Sequence, residues 1–292
     1  GSTFKILTAS MALEEKAITV DSAFYCPGYR MVEGWPQPIK CWYYPRAHGS
    51  QNLYQAIQNS CNPAFIDIGQ AVGAKTFLEY YKAFGLNEPT GIDLPGEGES
   101  IFHSEEQFLS NKVDLATASF GQNFQISPLQ LITAVSAVAN GGNLMKPYIV
   151  KEILDSDGKI VESTEPTVVR QVISEETSEL MCDILETVVS EGTGKNAYVA
   201  GYHIAGKTGT SEKKAKQAET GRNDLRISSF IAFAPADDPQ VAVLVILDEP
   251  TVQPVTGGIT AAPVIRRIMS DILPYLGVEP TYTAEELEEK DV

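Results

Sequence analysis

No stretch of this 292-residue chain approaches the roughly 18 consecutive apolar residues of a membrane span, and no signal-peptide pattern is present. Positive charge is scarce. The 22 Lys and Arg face 38 Asp and Glu, a formal net charge of −16, which argues against a nucleic-acid partner and against a polybasic patch on a membrane surface. Histidine is scarcer still: His48, His103 and His203 are the three in the chain, and they are placed so that no Ser-His-Asp triad can be argued. Cysteine numbers four, and three of them (Cys26, Cys41 and Cys61) are bunched near the start. That is too uneven for a whole-domain disulfide framework. Gly192-Thr193-Gly194-Lys195 lacks the spacing and the preceding strand of a phosphate loop. What the chain does not lack is apolar content, at 43%, enough for a sizeable core in one large domain or two small ones.

The most informative stretch is the first turn. Gly1-Ser2-Thr3-Phe4-Lys5 reads Ser-x-x-Lys and runs into an apolar segment with no Gly or Pro, 6–13. A helix opening at Ser2, as N-cap or first-turn residue, puts Lys5 on the same face as the hydroxyl. A serine hydroxyl is a weak nucleophile until a neighbouring base takes its proton, and a lysine made neutral by burial or by a second cation can do so. The same five residues also describe a capped helix with one snorkelling lysine. Two further stretches decide between these readings. Ser60-Cys61-Asn62 has the form Ser-x-Asn, and Lys207-Thr208-Gly209 with Thr210 sits in an alternating run, 202–211. Ser-x-x-Lys, Ser-x-Asn and Lys-Thr-Gly in this order form the signature set of serine acyl-transfer enzymes that react with penicillin.

Around these motifs the chain resembles the transpeptidase domain of class B high-molecular-weight penicillin-binding proteins. The matching stretches are Thr90-Gly91-Ile92-Asp93-Leu94-Pro95-Gly96-Glu97, Gly121-Gln122 with Ser127-Pro128-Leu129-Gln130, Ala139-Asn140-Gly141-Gly142 and Ala205-Gly206-Lys207-Thr208-Gly209-Thr210. The resemblance implies an α+β fold of the penicillin-binding protein and serine β-lactamase kind, with an antiparallel sheet flanked by helices and a helical subdomain. It implies a peptidoglycan D,D-transpeptidase that cross-links stem peptides through a Ser2 acyl-enzyme and is acylated by β-lactams. Lys5 is then the general base, Ser60 the proton relay, and Lys207 a cation across the cleft that also keeps Lys5 neutral. Asn62, Thr208, Gly209 and Thr210 bind substrate, Gly209 by leaving the strand backbone open to a ligand. The backbone N–H groups of Ser2 and Thr210 form the oxyanion hole.

The chemistry needs no cofactor. The resemblance also implies a glycosyltransferase partner, a site of action on the outer face of the cell membrane, and an anchoring helix and part of the central sheet upstream of Ser2. A cysteine inside Ser-x-Asn further resembles the sporulation-specific branch that builds spore cortex. A D,D-carboxypeptidase and a β-lactam-sensing receptor domain share the motifs and stay open. The Glu-x-x-Leu-Asn loop of class A β-lactamases is not found.

Periodicity and breakers organise the rest. Residues 21–50 show no usable period and read as a long ordered loop whose aromatics, Trp35, Trp42, Tyr43 and Tyr44, either line a peptide groove or pack the loop down. Helices are predicted at 52–59, 64–73, 75–84, 114–120, 128–140, 174–190 and 257–273, with Pro63 expected to hold Asn62 out of α geometry. A Pro/Gly loop is expected at 88–100 and an exposed hairpin at 146–162. Strands are predicted at 202–211, 226–234 and 240–248, with a charged mobile loop at 212–224. The domain is expected to end at 276, with 277–292 as an acidic, solvated linker or tail.

Cys26, Cys41, His48 and Cys61 are spaced Cys-x14-Cys-x6-His-x12-Cys. Three thiols and an imidazole are a common structural zinc set, though the spacing is unlike a compact zinc finger. A Cys41–Cys61 disulfide acting as a redox switch is the rival reading, and three unconnected thiols the plainest. Asp21 is a possible replacement ligand. If Ser60 and Asn62 face the cleft from an extended stretch, Cys61 faces away from it, toward the loop.

Overall fold

The computed structural model describes residues 1–283 and residue 286. A single 3-10 turn, Ser2–Phe4, leads into α1 (Lys5–Glu14). Four short strands follow: β1 (Phe24–Cys26), β2 (Tyr29–Arg30), β3 (Ile39–Lys40) and β4 (Gly49–Gln51). The helical middle is α2 (Leu53–Gln58), α3 (Asn62–Val72), α4 (Ala74–Ala83), α5 (Glu105–Ser110), α6 (Lys112–Ala118) and α7 (Pro128–Ala139). Then come β5 (Asn143–Met145), β6 (Glu152–Leu154), β7 (Ile160–Ser163), β8 (Val168–Gln171) and α8 (Glu175–Ser190). The chain closes with β9 (Ala205–Glu212), α9 (Lys214–Thr220), β10 (Arg226–Ala234), β11 (Val241–Asp248) and α10 (Ala262–Tyr275), the last entered through a π turn, Gly257–Ala261.

The main sheet is antiparallel, in the order β11-β10-β9. β10 is buried on both faces and shows the period of two that a strand imposes. Phe230, Ala232 and Ala234 join α10 residues Ile265 and Met269 in one cluster. Ile231 and Phe233 belong to the larger core that holds α1, α3, α7 and α8. Helix α1 lies inside that core, with every residue from Lys5 to Leu13 buried. Burying polar groups in such a helix calls for partners: Ser10 donates to the Ile6 carbonyl at 2.8 Å, while the buried Thr8 hydroxyl has no partner among the described residues. The architecture is the expected α+β fold.

Several local expectations are revised. The segment 21–50 holds two ladders, β1 with β4 and β2 with β3. Arg30 of β2 pairs with Asp67 of α3 and ties the second ladder to the core. Asn62 is the first helical residue of α3, not a residue held out of it: Pro63 sits at a first-turn position, where a missing N–H costs nothing, and Cys61 takes the extended conformation instead. The charged loop 212–224 contains α9. Residues 277–283 run along the domain with 277, 279, 281 and 283 exposed. Thr281 N–H donates to the Gly201 carbonyl at 2.8 Å and Val278 N–H to the Leu273 carbonyl at 3.0 Å. Glu286 accepts from Gly201 N–H at 2.9 Å. The remaining acidic positions, Glu285, Glu288 and Glu289, lie outside the described residues.

Candidate active site

Helix α2 ends in a Schellman cap. Ser60 N–H donates to the Ile57 carbonyl and Cys61 N–H to the Ala56 carbonyl, both at 3.0 Å. The position that this cap twists into the left-handed region is usually glycine; here it is Ser60, at φ 51°. Cys61 follows as the extended N-cap of α3 and Asn62 as its first residue. One helix end and one helix start thus share three residues, and these aim Ser60 and Asn62 at the same neighbour.

That neighbour is Lys5, fully buried on α1. Its Nζ donates to the Ser60 carbonyl at 2.8 Å, to Asn62 Oδ1 at 2.7 Å and to Ser60 Oγ at 3.3 Å, with the Phe65 ring centroid 5.2 Å away. Lys207, also fully buried, donates from β9 to the same Ser60 Oγ at 2.9 Å. Burial lowers the Lys5 pKa to about 7, against an upward pull from Cys61 and Cys41. Burial, and then the charge of Lys5, pushes Lys207 well below the ordinary lysine value. Of the two causes expected for a neutral Lys5, burial and the charge of Lys207, desolvation of the amine is the leading one. The ordinary hydrogen bonds of Lys5 run to Ser60 and Asn62, and none to the Ser2 hydroxyl is formed among the described residues.

Ser2 lies half-buried in the 3-10 turn. The turn makes no side-chain cap, so of the two placements expected, N-cap or first turn, Ser2 takes the second. Its position at the start of a helix leaves its N–H without an intrahelical acceptor. Two glycines let other segments press against the turn. Gly121, at φ +80°, comes so close that a Cβ would meet the Gly1 carbonyl oxygen at 2.0 Å. A Cβ at Gly209 would meet Ser229 Oγ at 2.3 Å and Thr3 Cγ2 at 3.0 Å. A side chain at Gly209 would thus crowd β10 and the serine turn, a packing reason for glycine beside the ligand approach expected.

The hydroxyls of β9 are engaged. Thr208 Oγ1 lies 3.2 Å from Thr193 Oγ1, and Thr210 Oγ1 accepts from Gly257 N–H at 3.2 Å. β9 is an edge strand, paired on one side with β10 and packed on the other against the serine turn. Thr193 and Gly257 escaped notice in the sequence: the first sits in the stretch dismissed as a phosphate loop, and the second is a glycine among several. Lys40 was also missed. Its carbonyl accepts from Asn62 Nδ2 at 3.4 Å. His103 and His203 take no part: His203 Nδ1 faces Glu186 at 2.6 Å and His103 faces Gln107 and Asp114.

Behind Ser60 and Asn62, one ligand atom each from Cys26, Cys41, His48 and Cys61 lies within 4.8 Å of the others. Asp21 is not in this group. All four cysteines are free thiols, so the Cys41–Cys61 bridge is not formed. A hydrogen bond from Cys61, with a second from His48, pulls the Cys41 thiol below its ordinary value, and the same bond pushes Cys61 up.

The family model for the penicillin binding protein transpeptidase domain matches residues 1–270. The chain belongs to this family. Among curated relatives, stage V sporulation protein D of Bacillus subtilis is 45% identical over 96% of this chain and 43% of its own length. A probable peptidoglycan D,D-transpeptidase FtsI of Caulobacter vibrioides is 32% identical over 96% of this chain and 46% of its own. The transpeptidase chain described here spans about half the length of the curated relatives it matches. Among solved structures, the apo transpeptidase domain of Burkholderia pseudomallei penicillin-binding protein 3 superposes with a TM-score of 0.83 at 29% identity, covering 97% of this chain and 81% of that one. Mycobacterium tuberculosis penicillin-binding protein 3 complexed with ampicillin gives 0.85 at 27%, covering 97% and 63%.

Proposed function

We propose that this domain, running to residue 276, is a peptidoglycan D,D-transpeptidase that works through an acyl-enzyme on Ser2. The observation that carries the reading is the convergence of Lys5 and Lys207 on Ser60, with Asn62 accepting a second bond from Lys5, at one end of the serine turn. Ser2 Oγ attacks the penultimate carbonyl of a stem peptide ending in D-Ala-D-Ala, and its proton passes to neutral Lys5. The Ser2 and Thr210 N–H groups hold the oxyanion. Support for this pairing is the contact of the serine turn with β9, where a Cβ on Gly1 would lie 3.3 Å from the Thr210 carbonyl oxygen. Ser60 relays the proton to the departing D-Ala, Lys207 holds that relay from the other side, and Asn62, Thr208 and Thr210 bind the donor strand. A neighbouring stem amine then takes the acyl group.

β-Lactams, which resemble the donor, acylate Ser2 in the same way, a reading supported by the ampicillin complex of the M. tuberculosis relative. The name of the B. subtilis relative supports a place in spore cortex synthesis. With that role goes a site of action on the outer face of the cell membrane, beside a glycosyltransferase that supplies the glycan strands.

Incubation with a D-Ala-D-Ala peptide and an amine acceptor tests the reaction. Cross-linked product that disappears in Ser2→Ala is expected. Hydrolysis alone would make the domain a carboxypeptidase, and acylation without turnover a β-lactam sensor; either result overturns the proposal.

A further inference from the structure

The turn after β3 carries charge of one sign only. Between Glu33 and Asp67 the chain holds no acidic residue, and Lys40 and Arg46 are the lysine and arginine of that stretch. In a chain with a formal net charge of −16 this stretch is the exception. The two carboxylates that bound it are already taken, Glu33 by Lys112 and Asp67 by Arg30. Lys40 and Arg46 are exposed. Neither forms an ion pair among the described residues, and each rests on a ring instead. Lys40 Nζ lies 4.6 Å from the Tyr44 centroid, and the Arg46 guanidinium 5.6 Å from the Tyr43 centroid. Ring contact steadies the two cations without neutralising them.

This ridge is fastened to the cleft. Trp42 Nε1–H donates to the Asn59 carbonyl at 2.7 Å, and Asn62 Nδ2 donates to the Lys40 carbonyl at 3.4 Å. Asn59 and Asn62 flank Ser60 and Cys61, so the ridge is attached on both sides of the serine that both lysines share. Trp42 nonetheless stays 57% exposed and Tyr44 46%. Of the two uses expected for the aromatics of this loop, packing it down or lining a groove, these two rings are free for the second. With its N–H satisfied by Asn59, Trp42 has its apolar face to offer a ligand.

We propose that Lys40, Trp42, Tyr44 and Arg46 form the entry ridge for the acceptor stem peptide and select an acidic one. The proposal rests on the acyl-enzyme reading above and adds the second substrate to it. Once Ser2 is acylated, the donor strand occupies the side of the cleft lined by β9 and Asn62. The acceptor amine must then reach the acyl carbon beside Ser60. The C–N bond forms there as the bond from the acyl carbon to Ser2 Oγ breaks, and the proton lost by the amine passes through Ser60 and Lys5 to Ser2 Oγ. The ties to Asn59 and Asn62 put the ridge at that point of entry. A stem peptide brings free carboxylates, which the net charge of the chain repels and two unpaired cations attract. The faces of Trp42 and Tyr44 give its apolar and amide parts a surface to lie on. Basic and aromatic residues together also suit an anionic membrane surface; attachment to the turn beside Ser60 favours the peptide.

The test uses a donor peptide ending in D-Ala-D-Ala and two acceptors. One is an acidic stem peptide that lacks the terminal D-Ala and carries a free side-chain amine; the other is the same peptide with its carboxylates amidated. Arg46→Glu and Lys40→Glu should each raise the KM for the acidic acceptor about fivefold or more. Arg46→Glu should leave the donor KM and the rate of penicillin acylation unchanged, and Arg46→Lys should keep the acceptor KM near that of the unaltered protein. The amidated acceptor should show the raised KM already in the unaltered protein and change little in the variants. An acceptor KM that is the same in all these proteins, or an equal rise for both acceptors, overturns the ridge. So does loss of sedimentation with phosphatidylglycerol vesicles as the one effect of the substitutions, which would make it a membrane patch. Calorimetric binding of the two acceptors to Ser2→Ala protein needs no turnover and should favour the acidic peptide; equal affinities also overturn the ridge. A failure of the acyl-enzyme reading would appear separately, as binding that follows this charge pattern with no cross-linked product from the unaltered protein.

Discussion

Lys5 and Lys207 donate to the same oxygen, Ser60 Oγ, at 3.3 and 2.9 Å. Two buried ammonium groups this close to one hydroxyl repel each other and have lost their water. Burial already favours the neutral form of each, so the pair holds fewer than two positive charges at neutral pH. A serine between two such lysines can pass a proton in either direction, as a reaction that protonates a leaving amine and later deprotonates an incoming one requires.

The pH dependence follows from the sign of the Lys5 shift. Its pKa in the folded protein is lowered to about 7, chiefly by burial, so the neutral base is present above that value and lost below it. Penicillin acylation is expected to rise with pH through about 7 and level off, falling toward tenfold per unit on the acid side. Stopped-flow acylation across pH 5.5 to 8.5, roughly the range that brackets this shift, checks it; a flat profile contradicts the role of Lys5.

Arginine separates the two lysines. Lys5→Arg keeps a charge but cannot give up its proton, and should lower the acylation rate by roughly a hundredfold to ten-thousandfold. Lys207→Arg still donates to Ser60 and should retain more activity, within the limit set by fitting a guanidinium into a fully buried position. Equal losses in both variants would remove the distinction in roles.

Ser60 is open to a cleaner comparison. Ser60→Ala and Ser60→Gly both delete the hydroxyl, and they differ only in how well they accept φ 51°. Both should lose acylation alike, while the glycine variant is expected to be the more stable by about 1 kcal/mol, read from chemical denaturation. Equal stabilities would mean that the left-handed conformation stores no strain at this cap.

Gly121→Ala tests how tightly the serine turn is held. A methyl there runs into the Gly1 carbonyl and Phe4, so stability and acylation should fall together, by more than the roughly 1 kcal/mol that positive φ alone costs. Gly158→Ala in the exposed β6–β7 turn, where a Cβ meets nothing within 4 Å, should show that smaller cost and normal acylation.

Much of this fold is written in local pattern. β10 was legible to the residue because its alternation is backed by burial on both faces, and α8 because Ser174, Glu175 and Glu176 announce its start. Elements with no apolar period were not legible. Helix α9 has no buried residue, α5 buries only Phe108 in six residues, and the ribbons β1 to β4 are two or three residues long. At the site, residue types and order were enough to single out Lys5, Ser60, Asn62 and Lys207, which the structure brings together. The left-handed Ser60 was not readable, since serine is a poor signal for that cap, and neither was the sharing of Ser60 by both lysines, which depends on contacts 147 positions apart.

Helix α1 has no solvent face between Lys5 and Leu13. The helix that follows Ser2, the proposed nucleophile, is therefore the part of the cleft least free to vary, since any change there is felt by α3, α7 and α8 at once. Divergence toward new stem peptides, or toward evasion of an antibiotic, is left to the borders of the cleft: the exposed aromatics after β3, among them Trp42 and Tyr44, and the α9 segment beyond β9. Laboratory selection for weaker penicillin acylation should collect its substitutions there and leave the first helix almost untouched.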